Sequence, residues 1–141
     1  MSDYDTDILL WSNEQAALLR RVAAGERVND QVDWENVIEE VESVGRSQLS
    51  AVRSHLIQAL LHDLKAEAWP LSSEVPHWRA EARRARGDAA EAFAPSMRRH
   101  IDVPKLYARA LRYMPDSIDA QLPLPLPAVC QITLDELLGD E

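Results

Sequence analysis

Carboxylates and histidines, the side chains that bind metals in helical-bundle enzymes, occur together in residues 34–67. Three glutamates lie near the start of this stretch and two histidines near its end: Glu39, Glu40, Glu42, His55 and His62. On one straight helix, Glu39 and His62 would be about 35 Å apart, and the two histidines about 10 Å apart. A zinc ion binds its ligands at about 2.0 Å. We therefore expect no metal site here, and because the four glycines form no phosphate-binding loop, no cofactor.

The apolar residues of the same stretch indicate what must position these side chains. At about 100° per residue they keep to one face of a helix without a break: Trp34, Ile38, Val41, Gly45, Leu49, Val52, Leu56, Ala59 and Leu60. This predicts one long central helix over about residues 33–68, with Asp33 at its N-cap and Pro70 ending it. Since Gly45 lies on the apolar face, we expect another backbone to pack closely there.

Shorter helices are predicted on both sides of the long one. In the first segment Ser12 and Gln15 have the spacing of a capping box, although one helix starting near Asp5 is the alternative, and Gly25 is placed to end it. Further helices are predicted from Pro76 to Pro95 and after the N-cap candidate Asp102.

The C-terminal part of the chain differs in composition. Its alternating Leu and Pro residues, "QLPLPLPAVCQI", predict an extended strap over residues 121–132. Thr133 and Glu136 then have the spacing of a capping box for a short last helix. The predicted fold is therefore an all-α helical bundle around one long central helix, in a single domain over residues 1–141.

Charge and composition restrict the functions to be considered. The formal charge is −9, which disfavours nucleic acid and anionic membranes as partners. The single cysteine, Cys130, permits no intramolecular disulfide, and the acidic N-terminus does not have the pattern of a signal peptide. Because no apolar run approaches 18 residues, we expect a cytoplasmic protein without a membrane span.

Two groups of residues are candidates for function. His62, followed by Asp63 and Lys65, is either a histidine at the edge of the core or a general base in a cleft between helices, with Lys65 beside it. Three arginines form a basic row on a later helix: Arg79, Arg83 and Arg86. This row either binds an anion, pairs in antiparallel packing with the acidic row Glu35, Glu39 and Glu42, or is, like the acidic row, a solvated face.

Several motifs resemble the bacterial family named domain of unknown function 29: "YDTD…W…EQAALLRR", "ENVIEEVESVGRSQ", "HLIQALLHDLK", "HWR" and the ending "CQITLDELL". The resemblance implies an all-helical fold and no established activity. It marks these motif positions: Trp11, Gln15, Glu39, Glu40, Glu42, Gly45, His62, Lys65 and Trp78. The chain departs from the family pattern at Gln48, Asp63, Ala66 and Gln131.

Three functional hypotheses follow. The first is a non-enzymatic module that binds a protein partner or self-associates, because neither a catalytic constellation nor a cofactor motif is present. The second is an enzyme with a cleft site around His62 and Lys65. The third is binding of an anion or a nucleic acid through Arg79, Arg83 and Arg86.

Overall fold

A computed structural model describes residues 2–139 of the chain. The regular secondary structure of these residues is helical. Ile118 and Gln121 also form an isolated antiparallel β-bridge. The helices are α1 (Asp3–Thr6), α2 (Ile8–Ala23), α3 (Trp34–Ala68), α4 (Val75–Ala92), α5 (Val103–Arg112) and α6 (Leu134–Leu137). Two short 3₁₀ segments are also present, Asn29–Gln31 and Pro95–His100. The prediction of an all-α fold is confirmed.

The long helix α3 is continuous through Gly45, as its apolar periodicity predicts. The amide of Val37 donates to the carbonyl oxygen of Asp33 over 2.9 Å, so Asp33 occupies the N-cap position. The helix ends before Pro70, the residue placed to end it.

The chain divides into two compact units, Met1–Arg46 and Ser47–Glu141, here called the N-terminal and C-terminal units. The boundary falls within α3, so the first third of this helix belongs to one unit and the rest to the other. The single domain over residues 1–141 stays a prediction.

The N-terminal unit contains α1, α2 and the start of α3. The Asp7 carboxylate caps α2 by accepting the amide of Leu10 over 3.0 Å. The capping box predicted at Ser12 is therefore wrong, because Ser12 lies inside the helix; the alternative of an earlier start is nearer the structure. Gly25 follows the helix with a φ of +92°, the left-handed conformation that glycine adopts at helix ends.

The C-terminal unit has its main core on α3. Val52, Leu56 and Leu60 are fully buried or nearly so, and they belong to one cluster with residues of α5 and α6 such as Leu106 and Leu137. Burying each leucine contributes about 1.5–3 kcal/mol. A second buried cluster contains Ala66, Ala68, Trp69 and Trp78.

The segment after α5 forms the predicted strap. The amide of Leu124 donates to the carbonyl oxygen of Ala68 over 2.9 Å, and the Tyr107 hydroxyl donates to the carbonyl oxygen of Pro127. Thr133 then caps α6 by accepting the amide of Glu136 over 3.2 Å. The extended strap and the capped last helix are both confirmed.

Candidate functional site

Two of the motif positions, Trp11 and Gln15, hold the start of α3. The Trp11 indole donates to the Asp33 carboxylate over 3.0 Å, and the Asp33 amide donates to the Gln15 side-chain oxygen over 2.7 Å. Hydrogen bonds from Asn36 and Trp11 lower the pKa of Asp33. Trp11 is itself buried. These contacts give Trp11 and Gln15 a structural role in the N-terminal unit.

Glu40, another motif position, contacts α1. The Tyr4 hydroxyl donates to Glu40 Oε1 over 2.7 Å. This bond, with burial and the negative charge of Glu40, raises the pKa of Tyr4 to about 12. The Tyr4 ring also lies edge-on to Trp11, with 4.8 Å between the ring centroids. Glu40 thus belongs to the same internal set of contacts as Asp33.

Glu39 and Glu42 lie on a different side of α3 and pair with Arg46. The Arg46 guanidinium is 2.6 Å from Glu39 and 3.6 Å from Glu42. All three side chains are more than half exposed, so each pair contributes at most about 1 kcal/mol. The acidic row therefore remains a largely solvated edge.

The apolar face between these acids and the opposite flank is exposed in the N-terminal unit. We define the α3 stripe as Trp34, Ile38, Val41 and Gly45; its three side chains are 42%, 52% and 70% exposed. A β-carbon built on Gly45 would meet no atom within 4 Å. The expected close packing at Gly45 is therefore wrong, because no described atom lies near enough to touch a side chain at this position.

The basic row on α4 has a different partner from the one predicted. Asp63 on α3 is buried and accepts hydrogen bonds from Arg79, over 2.7 Å, and from Arg86. The pairing of the acidic row with the basic row is therefore wrong: Glu39 and Glu42 bind Arg46, and two of the three arginines bind Asp63. Arg83, between them in sequence, is exposed.

Asp63 is the residue whose role the sequence reading missed. In the sequence motifs Asp63 is a departure from the family pattern. On the helical wheel Asp63 lies within about 20° of Ile38, on the apolar face itself. An acid on a face that is buried needs a charged or hydrogen-bonding partner. The position of Asp63 on this face, together with two arginines seven residues apart on α4, was the sequence signal that could have predicted its ion pairs with Arg79 and Arg86.

His62 lies at an open cavity of about 190 Å³. The cavity is lined by residues of α3 and α4: His55, Gln58, His62, Glu81, Arg84, Ala85 and Asp88. His62 Nδ1 is buried and has no hydrogen-bond partner among the described residues. Burial, and then the positive charge of Lys65, lower the pKa of His62. The cavity thus brings His55 and His62 together with two carboxylates from α4.

Lys65, the other residue of the predicted cleft site, lowers the pKa of His62 through its positive charge. It is half-buried and is not among the described residues that line the cavity. Trp78, the last motif position, is buried beside Trp69 in the second core cluster. Across residues 2–139, no group of three or more His, Cys, Asp or Glu side chains is arranged to bind a metal ion. No described helix has the length and apolar content needed to cross a membrane.

Residues 4–141 match the family described as "Domain of unknown function DUF29". The chain belongs to this family. The resemblance seen in the sequence motifs is thereby confirmed. The chain is also similar to a crystal structure of an alpha-helical protein of unknown function from Rhodospirillum rubrum, with 22% sequence identity and a TM-score of 0.67. The match covers 100% of this chain and 92% of that one and supports the fold. No curated protein matches the chain.

Proposed function

We propose that this DUF29 chain is a non-enzymatic interaction module that binds a protein partner through the α3 stripe. The observation that supports the proposal is the exposure of Trp34, Ile38 and Val41 on one helical face. An amphipathic helix normally turns its apolar face to a core. In the C-terminal unit the same face of α3 is buried at Val52 and Leu56.

Exposed apolar residues that form a continuous patch mark interaction surfaces more often than single ones do. The three side chains recur at intervals of four and three residues, so they form a continuous ridge. Gly45 extends this ridge as a flat position where a partner backbone can approach. Val44, 63% exposed, widens the apolar area on one side.

The test compares binding by the natural chain with binding by the double variant Ile38→Gln/Val41→Gln. Glutamine favours helix at least as well as isoleucine and valine and leaves the net charge unchanged, so we expect the variant to fold. Circular dichroism checks that it does. The matched control is Leu71→Gln, because Leu71 is 95% exposed and lies outside the stripe. We expect a partner that co-purifies with the natural chain and with the control, and that the stripe variant loses. Equal capture by all three proteins would contradict the proposal.

A second candidate function, an enzyme with a cleft site, is favoured by the cavity at His62. A lowered pKa keeps the imidazole neutral near pH 7, the form that can accept a proton. Glu81 or Asp88 could orient it, since both line the same cavity. The test is an NMR fragment screen on the natural chain and on His62→Phe. Fragments that shift the signals of Gln58 and Ala85 in the natural chain but not in His62→Phe would support a ligand site, and an unresponsive cavity would exclude it.

The third hypothesis, an anion face on α4, has less support. Arg79 and Arg86 are engaged with Asp63, which leaves Arg83 as the exposed member of the row. We expect no gel shift of DNA or RNA at physiological salt.

A further inference from the structure

The inference concerns the partner of the α3 stripe, and it rests on the proposed function. Acidic side chains lie along one side of the stripe. Glu35, Glu39 and Glu42 follow one flank and fall about 40–100° from Ile38 on the helical wheel. Seven residues separate the first from the last, or about 10 Å along the axis. A partner lying along the stripe would therefore have acids beside it for two helical turns.

The opposite flank of the stripe is apolar. Val37 and Val44 lie about 100–120° from Ile38 on that side. Val44 is exposed and Val37 is half-buried. The surface is therefore asymmetric, with an apolar ridge between an apolar flank and an acidic flank. A helix that matches it carries apolar residues at intervals of three and four and basic residues along one edge.

The charge of the whole N-terminal unit acts in the same direction. Residues 1–46 contain eleven acidic residues and four arginines, a net charge of −7. Arg46 offsets part of the acidic flank through its pairs with Glu39 and Glu42, but Glu35 has no ion pair among the described residues. At physiological salt, charges within about 8 Å are not fully screened. A cationic partner is attracted to this surface, and an anionic one is repelled.

A second copy of the chain fits less well. In an antiparallel pair of helices equal flanks meet, so the three glutamates of each copy would face those of the other. In a parallel pair each acidic flank would face the apolar flank of the partner and lose water without gaining a cation. Both arrangements also bring together two units of net charge −7.

We propose that the α3 stripe binds a basic amphipathic helix of another protein, with its apolar face on Trp34, Ile38 and Val41 and its cationic edge along Glu35, Glu39 and Glu42. The stripe supplies the apolar contact area. The acids select the charge of the partner and fix which way it faces.

The experiment uses the full chain and two designed helical peptides of roughly 18 residues, or about five turns. The peptides share their leucine positions, and one edge carries lysines in the first peptide and glutamates in the second. Fluorescence anisotropy measures the Kd of each. We expect the lysine peptide to bind at least about tenfold more tightly, as three exposed ion pairs of ordinary strength would give.

Two sets of variants separate the apolar contribution from the charge. Ile38→Gln/Val41→Gln is expected to weaken binding of the lysine peptide about tenfold or more. Glu39→Gln/Glu42→Gln is expected to remove most of the preference for lysine over glutamate. Leu71→Gln, the exposed control outside the stripe, is expected to bind like the natural chain.

The other outcomes overturn the inference, and they differ in what they leave standing. If both peptides bind equally and the stripe variant weakens the binding of both, the proposal that the partner is basic is wrong, while the proposal that the α3 stripe is a docking surface is supported. A dimer of the chain alone, seen by light scattering and lost in the stripe variant, would identify a second copy as the occupant. If the lysine peptide binds the natural chain and the stripe variant alike, the attraction is to the acidic surface as a whole, and the proposed function fails as well.

Discussion

Asp63→Ala removes the carboxylate that joins α3 to α4 in the C-terminal unit. Asp63 is 7% exposed and accepts hydrogen bonds from two arginines, Arg79 over 2.7 Å and Arg86. Alanine leaves both guanidiniums without this acceptor, and the Arg86 Nε, which is buried and has no partner among the described residues, loses a nearby negative charge.

The expected loss is smaller than for a fully buried charge pair. Removing one partner of a buried pair costs about 3–5 kcal/mol, chiefly because a charge stays buried and unpaired. Here the arginine side chains are 43% and 36% exposed, so both can recover hydrogen bonds to water. We therefore expect Asp63→Ala to lower the free energy of unfolding by about 2–3 kcal/mol, and Asp63→Asn, which keeps an acceptor oxygen, by about half as much.

Urea unfolding followed by circular dichroism measures these losses, with the transition of each variant fitted in the same way. Arg46→Ala is the matched control, because it removes an arginine from pairs that are more than half exposed. We expect the control to lose less than about 1 kcal/mol. If the free energy of unfolding of Asp63→Ala lay within about 0.5 kcal/mol of that of the natural chain, the reasoning would be refuted. Losing the ion pairs of a buried carboxylate with Arg79 and Arg86 should lower stability by more than that.

Two further substitutions test the N-terminal unit. Gly45→Ala is expected to stabilise the chain by about 0.5–1 kcal/mol in urea unfolding, because Gly45 lies inside a helix and a β-carbon there would meet no atom within 4 Å; a loss of stability would show that this position is covered. Tyr4→Phe is expected to remove the tyrosine that ionises near pH 12 in an ultraviolet absorbance titration. Since that pKa lies above the ordinary value of about 10, the Tyr4–Glu40 bond stabilises the fold below pH 10 and this contribution is lost as the pH rises towards 12; an unchanged high-pH titration in Tyr4→Phe would contradict the assignment.

The helices could be predicted because their signals are local. The unbroken periodicity of residues 34–60, the N-caps Asp102 and Thr133 and the alternating prolines each depend on neighbours in sequence, and the structure confirms all of them. The start of α2 was misjudged because Asp7 and Ser12 both have the chemistry of a cap, and sequence alone does not rank them.

The partners of each face could not be predicted from periodicity. An apolar periodicity indicates which residues share one face of a helix, but not whether another element covers that face. In α3 the face is buried at Leu56 and exposed at Val41. The same limit explains the wrong pairing of the charged rows. Glu39 and Arg79 have compatible spacing, yet each found a partner elsewhere, Arg46 and Asp63 respectively.

The prolines of the strap have a consequence for solubility. An extended segment at a protein surface presents amide groups that can recruit a strand from a neighbouring molecule, which is how many proteins begin to aggregate. Pro123, Pro125 and Pro127 remove every second donor, and the amide of Leu124 is already bonded to Ala68. From Pro123 to Pro127 the exposed strap therefore offers few free amide donors, which makes this part of it a poor template for intermolecular β-structure.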